Sequence, residues 1–353
     1  MTSRAEIVGV GLIGGSIGMA LRRQGWHVTG RDRDRARAAR GVEVGALDTV
    51  GDDASADVTF VATPVGAVAH EARRALASSP ASIVTDVGSV KAPIVSTVDD
   101  ARFVGGHPMA GSEQEGVDGA DPELFAGATW VLTPTASTDA DAYLRVRQVV
   151  SSLGADVVAV TPEHHDALVA VVSHVPHLTA ATLMSLAADA GEEHATLLRL
   201  AAGGFRDMTR VAAGHPGIWP DICAENRDAI TATLDRLVAA LSSVRETVAS
   251  ADRDRLLSLL ERARHARVNL PARVKRAEDL LEIRVPVPDR PGVLAEITTL
   301  AGELGVNILD LEIAHSSEGD RGVLVVIVEV AHGDLLRGAL LARGYRPSAQ
   351  PLA

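Results

Sequence analysis

The 353-residue chain is poor in cysteine and in aromatic residues. Its single cysteine, Cys223, excludes a disulfide within the chain and is typical of a reducing cytoplasm. Only 3% of the residues are aromatic while 46% are hydrophobic, so small aliphatic side chains must fill the core, as in many α/β proteins. The formal net charge is −12 and no Lys/Arg cluster stands clear of acidic residues, which argues against a nucleic-acid partner.

The N-terminal part also lacks an uncharged run of membrane-spanning length. Residues 7–21 carry no charge and resemble the core of a signal peptide, but 15 residues are too few to cross a bilayer. The regularly placed glycines in this run indicate a different role. We therefore expect a cytoplasmic chain with no membrane partner.

Three regions differ in their secondary-structure pattern. Residues 1–160 alternate short apolar runs with helical stretches, which predicts an α/β, doubly wound Rossmann-type domain with a parallel sheet that binds a dinucleotide. Residues 161–280 predict an all-helical substrate and dimerisation domain. Its amphipathic helices must bury their apolar faces against one another or, as we favour, in a homodimer. Residues 281–353 follow the β-α-β-β-α-β order of a ferredoxin-like module.

A glycine-rich motif follows the first predicted strand and precedes a helix. Gly9 permits a tight turn, Gly11 lets the backbone approach a pyrophosphate, and Gly14 lets helix and strand pack closely. The N–H groups at the start of the helix would face the anion. The predicted cofactor contacts in this motif are Gly9, Gly11, Leu12, Ile13 and Gly14.

Asp32 ends the next strand, about 20 residues further on, where the adenine ribose of a dinucleotide is read. Its carboxylate favours NAD, because it would bond the ribose 2′-hydroxyl and repel a 2′-phosphate. Arg31 and Arg33 flank it and could serve that phosphate, so NADP stays open. Thr63 and Pro64 follow a later strand and are predicted to line the cofactor, although Pro64 could equally be only a first helical residue.

The segment GGHPMAGSE, residues 105–113, is predicted to be a loop, because its glycines and proline disfavour helix and strand. It follows an apolar strand, so we expect His107 at the carboxyl edge of the sheet, where ligands of doubly wound domains bind. This histidine is either a structural residue or a positioned proton acceptor. Ser89, in DVGSVK, lies one strand end earlier and is able to bond an imidazole nitrogen.

Two motifs in the helical region carry polar groups. SHVPH places His174 and His177 three residues apart, but no cysteine or nearby third ligand completes a zinc site, so no metal is expected. GGFRDMTR contains Arg206 and Arg210. An arginine here either pairs with a surface acid or grips a substrate carboxylate with two donors.

The order of these motifs resembles that of a known family. GVGLIGGS, DVGSVK, GGHPMAGSE, SHVPH and GGFRDMTR occur in the same order as in the prephenate/arogenate dehydrogenase family of tyrosine biosynthesis. The resemblance covers roughly residues 5–280, and its last four motifs are more specific than the glycine motif. The C-terminal stretch DRPGVLAEITTLAGELGVNILDLEI resembles an ACT domain, a module that commonly binds amino acids.

The resemblance implies an oxidative decarboxylation linked to NAD. Hydride leaves the ring carbon that bears the hydroxyl, the ring carboxylate departs as carbon dioxide, and the ring becomes aromatic. The resemblance assigns His107 as the base at the hydroxyl, Ser89 as the residue that orients it, and Arg210 as the cation at the ring carboxylate. The remaining substrate contacts that it implies are His177, His174, Ser112, Glu113, Asp166, which would position Arg210, and Trp219, which would close the site.

The ACT-like tail implies an effector site that uses Asp289, Pro291, Gly292 and Asn307, with tyrosine as the natural effector; the alternative is a domain that only dimerises. Arogenate dehydrogenase is the nearest rival function, since the chemistry is the same. A β-hydroxyacid dehydrogenase is disfavoured, because neither lysine provides a candidate catalytic group in the helical domain. A non-catalytic sensor of NAD and an amino acid would not need His107, Ser89 and Arg210 together.

Overall fold

A computed structural model of the chain describes residues 2–112, 114–193, 200–269, 280–288, 290, 292–315 and 321–351. It divides into two compact units, Met1–Pro271 and Ala272–Ala353. The boundary predicted at residue 160 falls inside the first unit, between a strand and a helix.

The first unit is built on an eight-stranded sheet. Its strands are β1 Arg4–Val8, β2 His27–Arg31, β3 Thr49–Val50, β4 Val58–Val61, β5 Ile83–Asp86, β6 Phe103–Pro108, β7 Thr129–Thr133 and β8 Asp156–Ala159. The order is β3-β2-β1-β4-β5-β6-β7-β8, and its first six positions match a doubly wound dinucleotide-binding sheet. The Rossmann-type prediction is confirmed, except that β6 and β7 run antiparallel.

Helices of the Rossmann-type region cover the sheet. They are α1 Leu12–Arg23, α2 Arg35–Glu43, α3 Val65–Ser78, α4 Ala92–Thr97 and α5 Ala140–Ser152. The core between helices and sheet is mostly Val, Ile, Leu and Ala, as the composition predicts. Trp130 of β7 packs with Phe60 and Phe125, at ring-centroid distances of 6.4 and 5.1 Å.

The segment predicted to be a loop, residues 105–113, is in part a strand. Gly105 to Pro108 pair with Thr133 to Trp130 of β7. A Cβ on Gly105 would lie 2.4 Å from Thr133 Oγ1, and one on Gly106 would lie 2.6 Å from Asp86 O. Glycine is therefore required here by close packing within a sheet, and His107 is fixed in a strand.

The helical region begins as predicted, with the Thr161 hydroxyl accepting a hydrogen bond from the His164 amide at 3.3 Å. Helix α6 Pro162–Val169 continues through a π turn, Ala170–His174, into α7 Val175–Glu193. The π turn precedes Pro176, which has no N–H for the helical ladder. The remaining helices of the unit are α8 Gly203–Thr209, α9 Trp219–Glu225, α10 Arg227–Ala249 and α11 Arg253–Val268.

Much apolar surface of these helices is exposed. By length and composition, the stretch Pro162–Ala190 would suffice to cross a membrane: it has a hydropathy of 1.5, and 28% of its most apolar 18-residue window is buried. That test is weak, because an apolar helix of a water-soluble protein also passes it. Large aliphatic side chains are also exposed on α10 and α11: Val238, Leu241, Val248, Leu257, Leu260 and Val268.

The second unit has the β-α-β-β-α-β order that was predicted. Its elements are β9 Leu280–Pro288, α12 Val293–Glu303, β10 Asp310–His315, β11 Arg321–Glu329, α13 Val330–Ala342 and β12 Ser348–Pro351. The antiparallel sheet has the order β10-β11-β9-β12. Buried residues such as Ile283, Ile297 and Leu336 form its own core.

Candidate active site

The glycine motif at the junction of β1 and α1 has three glycines with different reasons to be glycine; Gly9 and Gly11 lie in the loop and Gly14 lies in the first turn of α1. Gly9 has φ +98°, and a Cβ there would lie 2.5 Å from Ala62 O; a Cβ on Gly14 would lie 2.0 Å from Gly9 O. A Cβ on Gly11 would meet nothing within 4 Å. The first and third glycines serve packing, whereas Gly11 leaves open space in front of the start of α1, where Leu12 and Ile13 are half-buried.

Asp32 is anchored at the end of β2. Its two carboxylate oxygens accept hydrogen bonds from the backbone N–H groups of Val10 and Asp34, both at 2.9 Å. Arg31 points elsewhere, since its guanidinium pairs with the carboxylates of Glu6, Asp52 and Glu71. A ribose at this edge would therefore meet the anchored carboxylate.

Two further predicted cofactor contacts follow β4. Pro64 is exposed at the start of α3, with φ −50°, and forms the N-cap of that helix. The hydroxyl of Thr63 is buried and has no hydrogen-bond partner among the described residues. A buried hydroxyl with no partner is costly, and a ligand in the open space by the glycine loop would offer it one. The loop, Asp32 and Thr63 thus fit a dinucleotide.

A hydrogen-bonded chain of three side chains joins the sheet to the helical region. His107 Nδ1 lies 2.8 Å from His165 Nε2, and His165 Nδ1 lies 2.7 Å from Asp166 Oδ1. The Asp166 carboxylate also accepts from the backbone N–H groups of Lys91 and Ala92, at 2.7 and 2.8 Å. His165 and Asp166 are almost completely buried.

These contacts bear on two predicted roles. Asp166 was expected to position Arg210, but its oxygens hold His165 and the backbone at the start of α4. Ser89 was expected to orient His107; His165 bonds the Nδ1 atom of that ring, so a contact of Ser89 with Nε2 stays a prediction. Ser89 itself is half-buried in the loop between β5 and α4. His165 was missed altogether, although it directly precedes Asp166 in the first turn of α6.

A buried ion pair lies next to the three hydrogen-bonded side chains of His107, His165 and Asp166. Lys91 and Asp86 are fully buried and bonded through Nζ and Oδ2. Asp86 also accepts from the Gly88 N–H at 2.8 Å and from the Gly106 N–H at 3.0 Å. The pair therefore holds the ends of β5 and β6 together. Burial lowers the pKa of Lys91, while Asp86 acts in the opposite direction.

The surroundings keep His107 neutral near pH 7. Loss of hydration lowers its pKa well below the ordinary value, and the nearby His165, Lys91 and His174 act in the same direction. A neutral imidazole is the form that accepts a proton.

His174, His177 and Trp219 form a second cluster. His177 stacks on the Trp219 indole, and His174 meets the same indole edge-on at 6.1 Å. His174 is buried, and its Nδ1 is 3.1 Å from the Asn226 amide nitrogen. Because that nitrogen can only donate, the proton of His174 is on Nε2, which is buried without a partner among the described residues. Burial lowers the pKa of His174 to about 4.

Arg210 begins the 3₁₀ turn Arg210–Ala213, which packs against α7. The next residue, Gly214, lies beside His177, since a Cβ on it would be 3.7 Å from Cε1 of that ring. Arg210 is exposed, as is Ser112. Arg206 bonds the Ala201 carbonyl oxygen at 3.2 Å. The predicted contact Glu113 lies outside the described residues.

Among the described residues, no group of three or more His, Cys, Asp or Glu is arranged to hold a metal ion. In the second unit, Gly292 has φ +92° at the start of α12, and Asn307 is exposed. Asp289 and Pro291 lie outside the described residues.

Comparison with known proteins agrees with this architecture. The chain matches family models for the prephenate dehydrogenase nucleotide-binding domain over residues 17–159, the prephenate dehydrogenase dimerization domain over 161–262, and the ACT domain over 281–340. Prephenate dehydrogenase of Bacillus subtilis is 33% identical over 333 residues, which is 90% of each chain. The chain belongs to the prephenate dehydrogenase family.

Other dehydrogenases are similar to about three quarters of the chain. Cyclohexadienyl dehydrogenase of Zymomonas mobilis is 35% identical over 75% of this chain and 94% of its own length. The structure of Aquifex aeolicus prephenate dehydrogenase in complex with hydroxyphenyl propionate and NAD⁺ has a TM-score of 0.72 and 30% identity, and covers 77% of this chain and 99% of that one. Arogenate dehydrogenase of Synechocystis has a TM-score of 0.65 and 33% identity, and covers 75% and 98%.

Proposed function

We propose that the chain is an NAD-dependent prephenate dehydrogenase that forms 4-hydroxyphenylpyruvate. The O–H proton of the ring hydroxyl goes to a base, and the carbinol carbon gives a hydride to NAD⁺. The bond to the ring carboxylate breaks, carbon dioxide leaves, the ring becomes aromatic, and the phenolate oxygen takes the proton back from the base. The observation that carries this proposal is the position of neutral His107 at the carboxyl edge of a nucleotide-binding sheet, bonded to the helical region that carries Arg210.

Bound NAD⁺ supplies the hydride acceptor. The Gly9–Gly14 loop and the start of α1 would hold its pyrophosphate, and the anchored Asp32 carboxylate would accept from its ribose. Thr63 and Pro64 would line its path along the sheet edge. Arg31 supports NAD over NADP, because three carboxylates already neutralise its guanidinium.

The substrate would lie between His107 and the second cluster. Arg210 would bind the ring carboxylate with two donors, and His177, fixed on Trp219, would contact the side chain. His174 offers a buried N–H from Nε2 to the same pocket. Ser89, Ser112 and Glu113 remain proposed lining residues.

Initial rates of NADH formation with prephenate or arogenate, each with NAD or NADP, test the function. We expect turnover of prephenate with NAD. The variant Arg210→Gln should raise the KM for prephenate by on the order of 100-fold, whereas Arg206→Gln, which removes a different arginine of the same motif, should change it little. Folded protein that turns over neither substrate with either cofactor would refute the proposal.

Arogenate is the second candidate substrate. It is favoured by two similar proteins, whose names are cyclohexadienyl dehydrogenase and arogenate dehydrogenase. The same rate comparison decides between prephenate and arogenate, because kcat/KM for the two substrates is measured on one preparation.

The exposed apolar faces of the helical region support a homodimer. The chain matches a dimerization domain there, and the exposed aliphatic side chains of α10 and α11 would be buried by a second copy. With a single cysteine and a biosynthetic role, the enzyme is proposed to act in the cytoplasm.

The ACT domain is proposed to bind tyrosine as a feedback effector. The turn at Gly292, before α12, and Asn307 would contact it, with Asp289 and Pro291. A coupling free energy of about 1–3 kcal/mol would change substrate affinity several-fold. Rates measured with added tyrosine test this; if tyrosine neither binds nor changes the rate, the domain has only a structural role.

A further inference from the structure

We propose that His165 is a positioning residue: held by Asp166, it fixes the tautomer of His107 so that Nε2 of His107 is the atom that accepts the substrate proton. This inference deepens the proposed function and rests on it for the identity of the reaction. The tautomer itself rests on hydrogen-bond geometry alone.

Asp166 sets the direction in which the hydrogen bonds from His107 through His165 are donated. Three donors converge on the Asp166 carboxylate: the N–H groups of Lys91 and Ala92 and the ring nitrogen Nδ1 of His165. An ionised carboxylate only accepts hydrogen bonds. Nδ1 of His165 therefore carries a proton.

A neutral His165 then has its lone pair on Nε2. This atom lies 2.8 Å from His107 Nδ1, so His107 must donate through Nδ1. The remaining nitrogen of His107, Nε2, has the lone pair. The opposite arrangement, a charged His165 that donates to His107, would leave Nε2 of His107 protonated and unable to act as a base.

The charged groups around the two rings favour the neutral arrangement. Lys91 contributes a buried positive charge next to His107, and it is paired with Asp86. His174 faces the same space, and the Asp166 charge lies beyond His165. A second positive charge on His165 would be buried near Lys91, since His165 is 1% exposed.

The arrangement stabilises the state formed during reaction. When the hydroxyl O–H bond breaks and an N–H bond forms at Nε2, His107 becomes a cation that still donates through Nδ1 to His165. The Asp166 carboxylate lies on the far side of the His165 ring, and its negative charge stabilises the new positive charge on His107. No proton needs to pass to His165, and the proton on Nε2 returns to the phenolate oxygen that forms when carbon dioxide leaves.

Nitrogen NMR of protein labelled with ¹⁵N-histidine reads the tautomer without turnover. The signals of His107 are assigned by their loss in His107→Asn. We expect Nδ1 to be protonated and Nε2 unprotonated at neutral pH, and this preference to be lost in His165→Phe. A protonated Nε2 in the wild-type chain would overturn the proposal, even if the enzyme is fully active.

Kinetics of three variants complete the test. His165→Phe keeps a ring but cannot accept from His107, and should lower kcat roughly 100-fold with KM changed less than about threefold. His165→Gln supplies a carbonyl oxygen as acceptor and should recover part of kcat. His164→Gln, a change of the exposed neighbouring histidine, is the matched control and should stay within about twofold of wild type.

The pH profile separates positioning from mere packing. The acidic limb of kcat should move in His165→Phe, because burial keeps the pKa of His107 low but the ring loses His165, one of the neighbours that lower it further. If the acidic limb of the kcat profile is unchanged and kcat falls equally in His165→Phe and His165→Gln, His165 is only a packing residue. If no substrate is turned over by wild type, the proposed reaction fails while the NMR result still decides the tautomer.

Discussion

The imidazole of His177 lies face to face on the indole of Trp219, with ring centroids 3.7 Å apart and planes inclined by 15°. Helix α7 supplies the histidine and α9 supplies the tryptophan. The indole therefore fixes the plane of a ring that would contact substrate, and it also contacts His174 by its edge.

Removal of this stack should weaken substrate binding. An aromatic pair contributes about 0.5–1.5 kcal/mol beyond its buried area, so Trp219→Leu should raise KM for the substrate roughly 2- to 10-fold. Trp219→Phe keeps a stacking surface and serves as the control. Steady-state kinetics measure both, and equal KM values in the two variants would show that the stack is not used.

Two glycines of one motif should behave in opposite ways when changed to alanine. Gly11→Ala should leave the melting temperature nearly unchanged, since its Cβ meets nothing within 4 Å, and yet should abolish detectable NAD binding. Gly14→Ala should unfold or strongly destabilise the chain, because its Cβ would lie 2.0 Å from Gly9 O. Thermal melts and calorimetric NAD titration measure these effects. Normal NAD affinity in Gly11→Ala would place the pyrophosphate elsewhere.

Asp32 should control the choice of cofactor. Asp32→Ser removes the carboxylate, which should raise KM for NAD about 10-fold or more and reduce the discrimination against NADP. Asp34→Asn is the matched control, since the asparagine still caps α2. The ratio of kcat/KM for NAD and NADP is the measurement. An unchanged ratio in Asp32→Ser would exclude Asp32 as the determinant.

His174 should make stability depend on pH. Its pKa is about 4 in the folded chain, whereas an exposed histidine titrates near 6.5. The unfolded chain thus binds more protons below neutrality, and stability falls by about 2 kcal/mol between pH 7 and pH 5. His107 contributes in the same direction.

Denaturant unfolding at several pH values tests this linkage. His174→Gln should be less stable at pH 7 and show a flatter decline toward pH 5. The exposed His70 provides the control, because His70→Gln should leave the decline as it is. A decline that is identical in all three proteins would assign the pH dependence to other groups.

Charges on the exposed face of α10 should break the proposed dimer. Val238 and Leu241 are 60% and 56% exposed, and glutamate at both positions would be too costly to bury without a partner. Size-exclusion chromatography with light scattering should show a monomer. Leu144→Glu, at a similarly exposed leucine of α5, should not change the mass. A wild-type monomer would refute the dimer itself.

Local patterns were sufficient for most of the fold. Short apolar runs predicted the strands of the Rossmann-type domain, because burial leaves a signature within a few residues. The pairing of β6 with β7 left no such signature. Gly105, Gly106 and Pro108 are poor strand formers, and they form a strand only because they pair with β7, which is distant in the sequence.

The same limit applies to the site. His107 and Arg210 were found through motifs, whereas His165 was missed because its role comes from a contact with a residue 58 positions away. Lys91 and Asp86 look like surface residues in the sequence. Their burial follows from the way that β5, β6 and α4 converge.

The π turn Ala170–His174 has a consequence for how this chain tolerates insertions and deletions. Such a turn holds one residue more than a regular helical turn, and one residue corresponds to about 100° of rotation. Loss of a single residue from 170–172 would restore an unbroken helix and rotate His177 off the indole, while every sequence motif would stay intact. The number of residues in this helix is therefore as much a requirement for the site as the identity of its histidines.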